Sequence, residues 1–147
     1  MSLYLLVKAL HLLAAVVWVG GMFFAYLVLR PSMGVLEPNQ RLLLNTQVFQ
    51  RFFRAVWHAM PLSVITGFGM IFVFLGGMQT QSPKVHAMMT LGLIMSALFL
   101  YIFFVPYKRF RRTTDKATMA ASLESIRKLV GVNLIVGLVT IVVGAIS

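Results

Sequence analysis

Residues 3–29 read LYLLVKALHLLAAVVWVGGMFFAYLVL, and this stretch decides the fold. It is apolar almost throughout, with Lys8 and His11 as its strongly polar members. A helix needs about 20 such residues to cross the hydrocarbon core of a bilayer. The run is too long for the apolar part of a signal peptide and carries no clear cleavage site, so it is expected to stay in the mature protein. Three more segments meet the same requirement, at about 55–75, 85–107 and 129–146. The third has a start signal, Ser82 as N-cap with Pro83 at the first helical position. Apolar runs of this length exceed strand length, so no strand pattern competes. The expectation is an all-α, integral-membrane four-helix bundle, a single transmembrane domain over residues 1–147.

Composition agrees. The 147 residues are 60% hydrophobic and 11% charged, with a mean hydropathy of +0.91. A soluble domain of this size is roughly half apolar and a quarter charged. Too little polar surface exists to cover a water-soluble globule, which excludes a cytosolic enzyme, a secreted disulfide scaffold and a disordered chain. The absence of cysteine excludes disulfides, thiolate metal ligands, iron–sulfur clusters and cysteine nucleophiles.

The charge orients the bundle. Thirteen Lys and Arg face three Asp and Glu, a net charge of +10. Arg30, Arg41, Arg51 and Arg54 lie between the first two helices. Lys108, Arg109, Arg111, Arg112, Lys116, Arg127 and Lys128 lie between the last two. The positive-inside rule puts both basic loops, 30–54 and 108–128, in the cytoplasm and both termini outside. The segment 39–54 reads as an amphipathic surface helix or as an extension of the second span, and 113–128 as a lead into the fourth. The basic stretch Lys108–Arg112 reads as a topology signal or an anionic-lipid contact, and no nucleic-acid partner is expected.

Ionisable groups inside a bilayer are costly and point to function. At about 1.5 Å per residue, His11 falls roughly 7 Å outward of the middle of its helix, and His86 about 10–15 Å from the midplane on the same outer side. His58 falls near the cytoplasmic face. Two histidines at similar depth on different helices can grip one metal macrocycle, and haem b requires no cysteine. Small residues would give a porphyrin room: Gly20, Gly21, Gly67, Gly69, Gly92, Gly131, Gly137 and Gly144. Lys8, three residues before His11, and Lys84, beside His86, would meet the propionates. Trp18, on the His11 face, would wall the pocket. Each feature has a plainer counterpart. His86 and His58 suit ordinary interfacial positions, or His58 bonds Asn133. Glycines pack membrane helices, and Trp18 suits a core aromatic. His11 lies too deep for an interfacial reading.

Ten methionines raise a competing chemistry, because thioether sulfur suits Cu(I). Met88 and Met89 sit beside His86, Met22 lies one turn beyond Trp18, and Met60 and Met70 are in the second helix. Methionine is also a common flexible filler of cores, and these form no tight cluster. Met88 or Met89 would serve as alternative metal ligands, as would His58. All three carboxylates fall in the expected cytoplasmic loops, so no acid pair stands in the bilayer. No nucleophile-elbow, phosphate-loop or zinc-protease motif is present.

Lys8-Ala-Leu-His11, then Trp18-Val-Gly-Gly21-Met-Phe and Arg30-Pro31, resemble the first helix of the CopD-like membrane proteins and of the HemJ-type protoporphyrinogen oxidases. Arg51 through Met60-Pro61 to Thr66-Gly67 resembles their second helix, and Lys84-Val-His86-Ala-Met88 their third. The resemblance implies four helices in the bacterial inner membrane, with His11 and His86 as the matching histidines. The HemJ type implies haem b and oxidoreductase chemistry; the CopD type implies copper uptake or handling. Two departures bear on the former. Met88 stands where the HemJ type has lysine, and Asn133 lacks the Asn-Glu-x-Pro context. The leading expectation is a haem b-binding protein with a redox or electron-transfer role. His11 and His86 would be its axial ligands, and Lys8, Trp18, Gly21 and Lys84 would line the site. A copper-handling protein and a non-catalytic accessory subunit are the alternatives. The bilayer, a second copy of the chain and a redox partner or quinone are the expected partners.

Overall fold

Helix starts and stops are written in side chains that satisfy the groups a helix leaves unpaired at its ends. In the computed structural model, which describes residues 2–147, the Ser2 hydroxyl accepts from the Leu5 amide and opens the first helix. Glu37 opens the second, its amide donating to the Gln40 side chain at 3.0 Å. The Asp115 carboxylate opens the last, accepting from the Thr118 amide and hydroxyl at 3.2 and 2.7 Å. Four long helices result: α1 (Leu3–Val35), α2 (Pro38–Phe74), α3 (Pro83–Arg112) and α4 (Lys116–Ala145). All regular structure among the described residues is helical.

All four are long and apolar enough to cross a membrane. Their outward faces carry bare hydrocarbon: Val16 is 65% exposed, Ile65 68% and Ile135 65%. Water would penalise that surface at about 25 cal/mol per Å², whereas lipid tails accept it. The chain is a multi-pass membrane protein.

The helices run further than the apolar segments. α1 continues through Arg30-Pro31, where the sequence suggested a stop, and ends at Val35. The reason lies just upstream, in a π-helical turn over Phe24–Leu29 that closes with the Arg30 amide on the Ala25 carbonyl. A widened turn takes up the clash and the missing amide that proline introduces. α3 does likewise, with Pro106 inside a π-helical turn over Phe103–Tyr107. Segment 39–54 is a continuous extension of α2, not a separate surface helix. Most of what reads as basic loop is therefore helix.

The chain forms two compact units, Met1–Pro83 and Lys84–Ser147. The first is an antiparallel hairpin of α1 and α2. Tyr4 meets Phe74 edge-on at 5.6 Å, His11 rests against Gly67, and Gly21 against Phe52. Arg41 latches its tight turn, with Nε donating to the Met33 and Leu36 carbonyls at 3.1 and 2.8 Å and Nη2 to Gly34 at 3.3 Å. The second unit pairs α3 with α4, also antiparallel. Lys84 meets Ile146, Met88 meets Gly144, and Met95 meets Asn133. Between lipid-facing helices there is little hydrophobic drive, so close packing and buried hydrogen bonds hold such pairs.

Candidate functional site

His11 is the histidine that the structure surrounds most fully. It lies on α1, half-buried, three residues before Ala14 and on the side of the chain that leads on to Trp18 and Met22, all three of which are buried. Its Nδ1 lies 2.9 Å from the Ser63 carbonyl and 3.0 Å from the Thr66 hydroxyl on α2. Thr66 is buried and its hydroxyl donates to the Leu62 carbonyl at 2.6 Å. Such back-bonding to the preceding turn is usual for a helical threonine, and it leaves the oxygen's lone pairs for the imidazole. The ring lies tight against the bare backbone of Gly67. A Cβ there would stand 3.1 Å from His11 Cε1, 3.5 Å from Nδ1 and 4.0 Å from Nε2. Of these three atoms, Nε2 lies furthest from Gly67.

The second unit places Lys84, His86, Met88 and Met89 in the first turns of α3. His86 is exposed, and its backbone carbonyl accepts from the Thr90 hydroxyl at 3.0 Å. Met88 and Met89 are half-buried, and the Met88 sulfur lies 3.1 Å from where a Gly144 Cβ would be. Deeper in this unit, fully buried Asn133 donates to the Met95 carbonyl at 3.2 Å, while its Oδ1 has no partner.

Lys84 donates to the Ile146 carbonyl at 3.0 Å, so it caps the C-terminal end of α4, where a cation is favoured. Lys8 is exposed. His58, for which a bond to Asn133 was one expectation, has Nδ1 2.8 Å from the Arg54 carbonyl of its own helix. The room that Gly21, Gly67 and Gly144 were expected to keep for a porphyrin is filled by protein: by the Phe52 ring at 3.2 Å, by His11 and by Met88. Trp18 is buried as expected of a wall or a core aromatic.

Ser63 and Thr66 are the site residues that sequence reasoning missed. A small polar pair followed by Gly67, as far from the C-terminal end of α2 as His11 is from the N-terminal end of α1, was the available signal. Among the described residues no group of three or more His, Cys, Asp or Glu side chains gathers as a metal site.

The family described as CopD, copper resistance protein D, matches residues 46–147. The chain belongs to the CopD family. The match takes in most of α2 with Ser63, Thr66 and Gly67, and all of α3 and α4 with His86, Met88, Met89 and Asn133. His11 and the rest of α1 lie before it. No curated protein matches the chain, and no solved structure does. Membership of the CopD family favours the copper alternative over haem b. Neither the match nor the filled glycine positions supports haem, electron transfer or an oxidoreductase.

Proposed function

We propose that this CopD-family protein binds copper as cargo in the membrane, meeting it as Cu(I) with imidazole and thioether donors. The family match over residues 46–147 carries the reading. The donor chemistry supports it. The chain has ten methionines and no cysteine, and among soft ligands thioether and imidazole are those left for Cu(I). We assign His11 as a donor in the first unit and, separately, His86 with Met88 or Met89 as donors in the second.

The charge distribution supports a direction. Eleven of the thirteen basic residues sit at the α1–α2 and α3–α4 ends of the helices, which puts those ends in the cytoplasm and both termini outside. His11 and His86 then lie in the outer half of the bacterial inner membrane, the half that copper from outside the cell reaches first.

The test is cellular copper content together with Cu(I) binding by the purified protein in lipid nanodiscs. Expression is expected to raise cellular copper, and the protein to bind Cu(I) stoichiometrically without colour. His11→Ala is expected to weaken Cu(I) binding by the first unit, and His86→Ala by the second, each by about tenfold or more. Unchanged cellular copper with no Cu(I) bound, or a Soret band at one haem per chain, overturns the reading.

A further inference from the structure

A neutral imidazole carries one proton, and its neighbours decide which nitrogen holds it. The Ser63 carbonyl, 2.9 Å from His11 Nδ1, can only accept. Two lone pairs facing each other at that distance would repel, so Nδ1 carries the hydrogen. The Thr66 hydroxyl agrees, because its own hydrogen is committed to Leu62 at 2.6 Å and it faces Nδ1 at 3.0 Å as an acceptor. Nδ1–H is shared between two acceptors on α2, and Nε2 is left with its lone pair. That nitrogen makes no hydrogen bond among the described residues, and of the three ring atoms near Gly67 it lies furthest away.

We infer that Ser63 and Thr66 hold His11 as the tautomer protonated on Nδ1, so that Nε2 is the atom that takes Cu(I), with Thr66 as a positioning residue. The inference rests on the copper reading for its ligand and on the α1–α2 hairpin for its geometry. A metal-binding histidine gains orientation and basicity when its other nitrogen donates to a carbonyl or similar acceptor. Here that acceptor pair is built before any metal arrives. Gly67 completes the arrangement, since the absent side chain lets the ring edge lie against α2 without leaving reach of Ser63 and Thr66. The Ser63 carbonyl cannot be removed by substitution, whereas the Thr66 hydroxyl can.

The experiment is nitrogen NMR of the full-length protein in nanodiscs, labelled on histidine, with His11→Gln used to assign the His11 signals. In the copper-free protein, His11 is expected to show a protonated Nδ1 and a bare Nε2. Added Cu(I) is expected to shift Nε2 and to leave Nδ1 protonated. Thr66→Val, which keeps the side chain's shape, is expected to weaken Cu(I) binding by about tenfold and to mix the two tautomers, with Thr66→Ser restoring both. A His11 protonated on Nε2 in the copper-free protein overturns the inference, whatever the protein does with copper. So does Cu(I) that binds without moving the His11 signals, or a Thr66→Val protein with unaltered tautomer and affinity. A protein with the expected tautomer that binds no Cu(I) overturns instead the copper reading on which the ligand assignment depends.

Discussion

The two helix pairs treat their histidines in opposite ways. In the α1–α2 pair, His11 is engaged by a carbonyl, a hydroxyl and the bare backbone face of Gly67. In the α3–α4 pair, His86 stands exposed one turn into its helix, and the close contact is made by its neighbour Met88 on Gly144. The difference goes with position along the helix, His11 lying further from the start of α1 than His86 from the start of α3. An imidazole well inside the hydrocarbon must find partners within the protein, because an unpaired polar group there costs several kcal/mol. One near the surface finds water and headgroups. One pair therefore offers a donor whose direction is set in advance, and the other offers a donor free to turn, with a flexible thioether beside it.

The sharpest way to break this comparison is to add the same methyl group to both pairs. Gly67→Ala and Gly144→Ala each bring a Cβ within 3.1 Å of a side chain. His11 is pinned by two hydrogen bonds and cannot yield without stretching them. Gly67→Ala should cost about 1–3 kcal/mol of stability and weaken Cu(I) binding. Met88 meets Gly144 with the end of an unbranched, rotatable chain, so Gly144→Ala should cost less than about 1 kcal/mol. Thermal unfolding of both variants in detergent checks the pair, and equal losses would remove the distinction between a rigid and a yielding contact.

A smaller effect is expected from Asn133→Leu. Asn133 makes one hydrogen bond, to a helix carbonyl, and leaves Oδ1 buried without a partner. Hydrogen bonds between membrane helices contribute about 0.6 kcal/mol on average, and removing an orphaned acceptor repays part of that. Stability should change by less than about 1 kcal/mol. A much larger loss would mean that Oδ1 has a partner after all, and that the second pair contains a polar centre comparable to that around His11.

The smallest effect concerns the start of α4. Hydrogen bonds from the Thr118 hydroxyl and amide hold the Asp115 carboxyl below the usual carboxylate range. A lowered pKa in the folded chain means that the cap's contribution is complete above the ordinary carboxylate value. It is lost as pH falls through the lowered one. The protection factor of the Thr118 amide, its exchange corrected for the intrinsic dependence on pH, should fall at acid pH in the wild type. It should stay constant over the same range in Asp115→Asn, whose cap does not titrate.

The spans were legible because no other structure hides an apolar run as long as residues 3–29. Their ends were not. Arg30-Pro31 reads as a stop, yet the chain continues as helix because the π-helical turn before it accommodates the ring. Nothing in the letters FAYLVL announces that widening. His11 was legible as a polar residue in an apolar run. Its partners were not, since Ser63 and Thr66 are common helix residues that can satisfy themselves on their own backbone and lie more than fifty positions away in the chain. The glycines were legible as spaces but not as to their contents. Composition cannot distinguish room for a cofactor from room for the neighbouring helix's Phe52 or His11.

The π-helical turn in α3 has one more consequence. A single widened turn holds one residue more than the helix around it needs, so every side chain beyond it is advanced about 100° around the axis. The N-terminal part of α3, with His86 and Met88, and its basic C-terminal end, with Arg111 laid over the Phe103 and Tyr107 rings at 5.3 and 4.7 Å, therefore keep separate angular phase. A helical wheel drawn straight through Pro83–Arg112 puts the arginines on the wrong compass bearing. Drawn as two wheels joined at Phe103–Tyr107, it lets the lipid-facing half and the headgroup-facing half each choose its own direction.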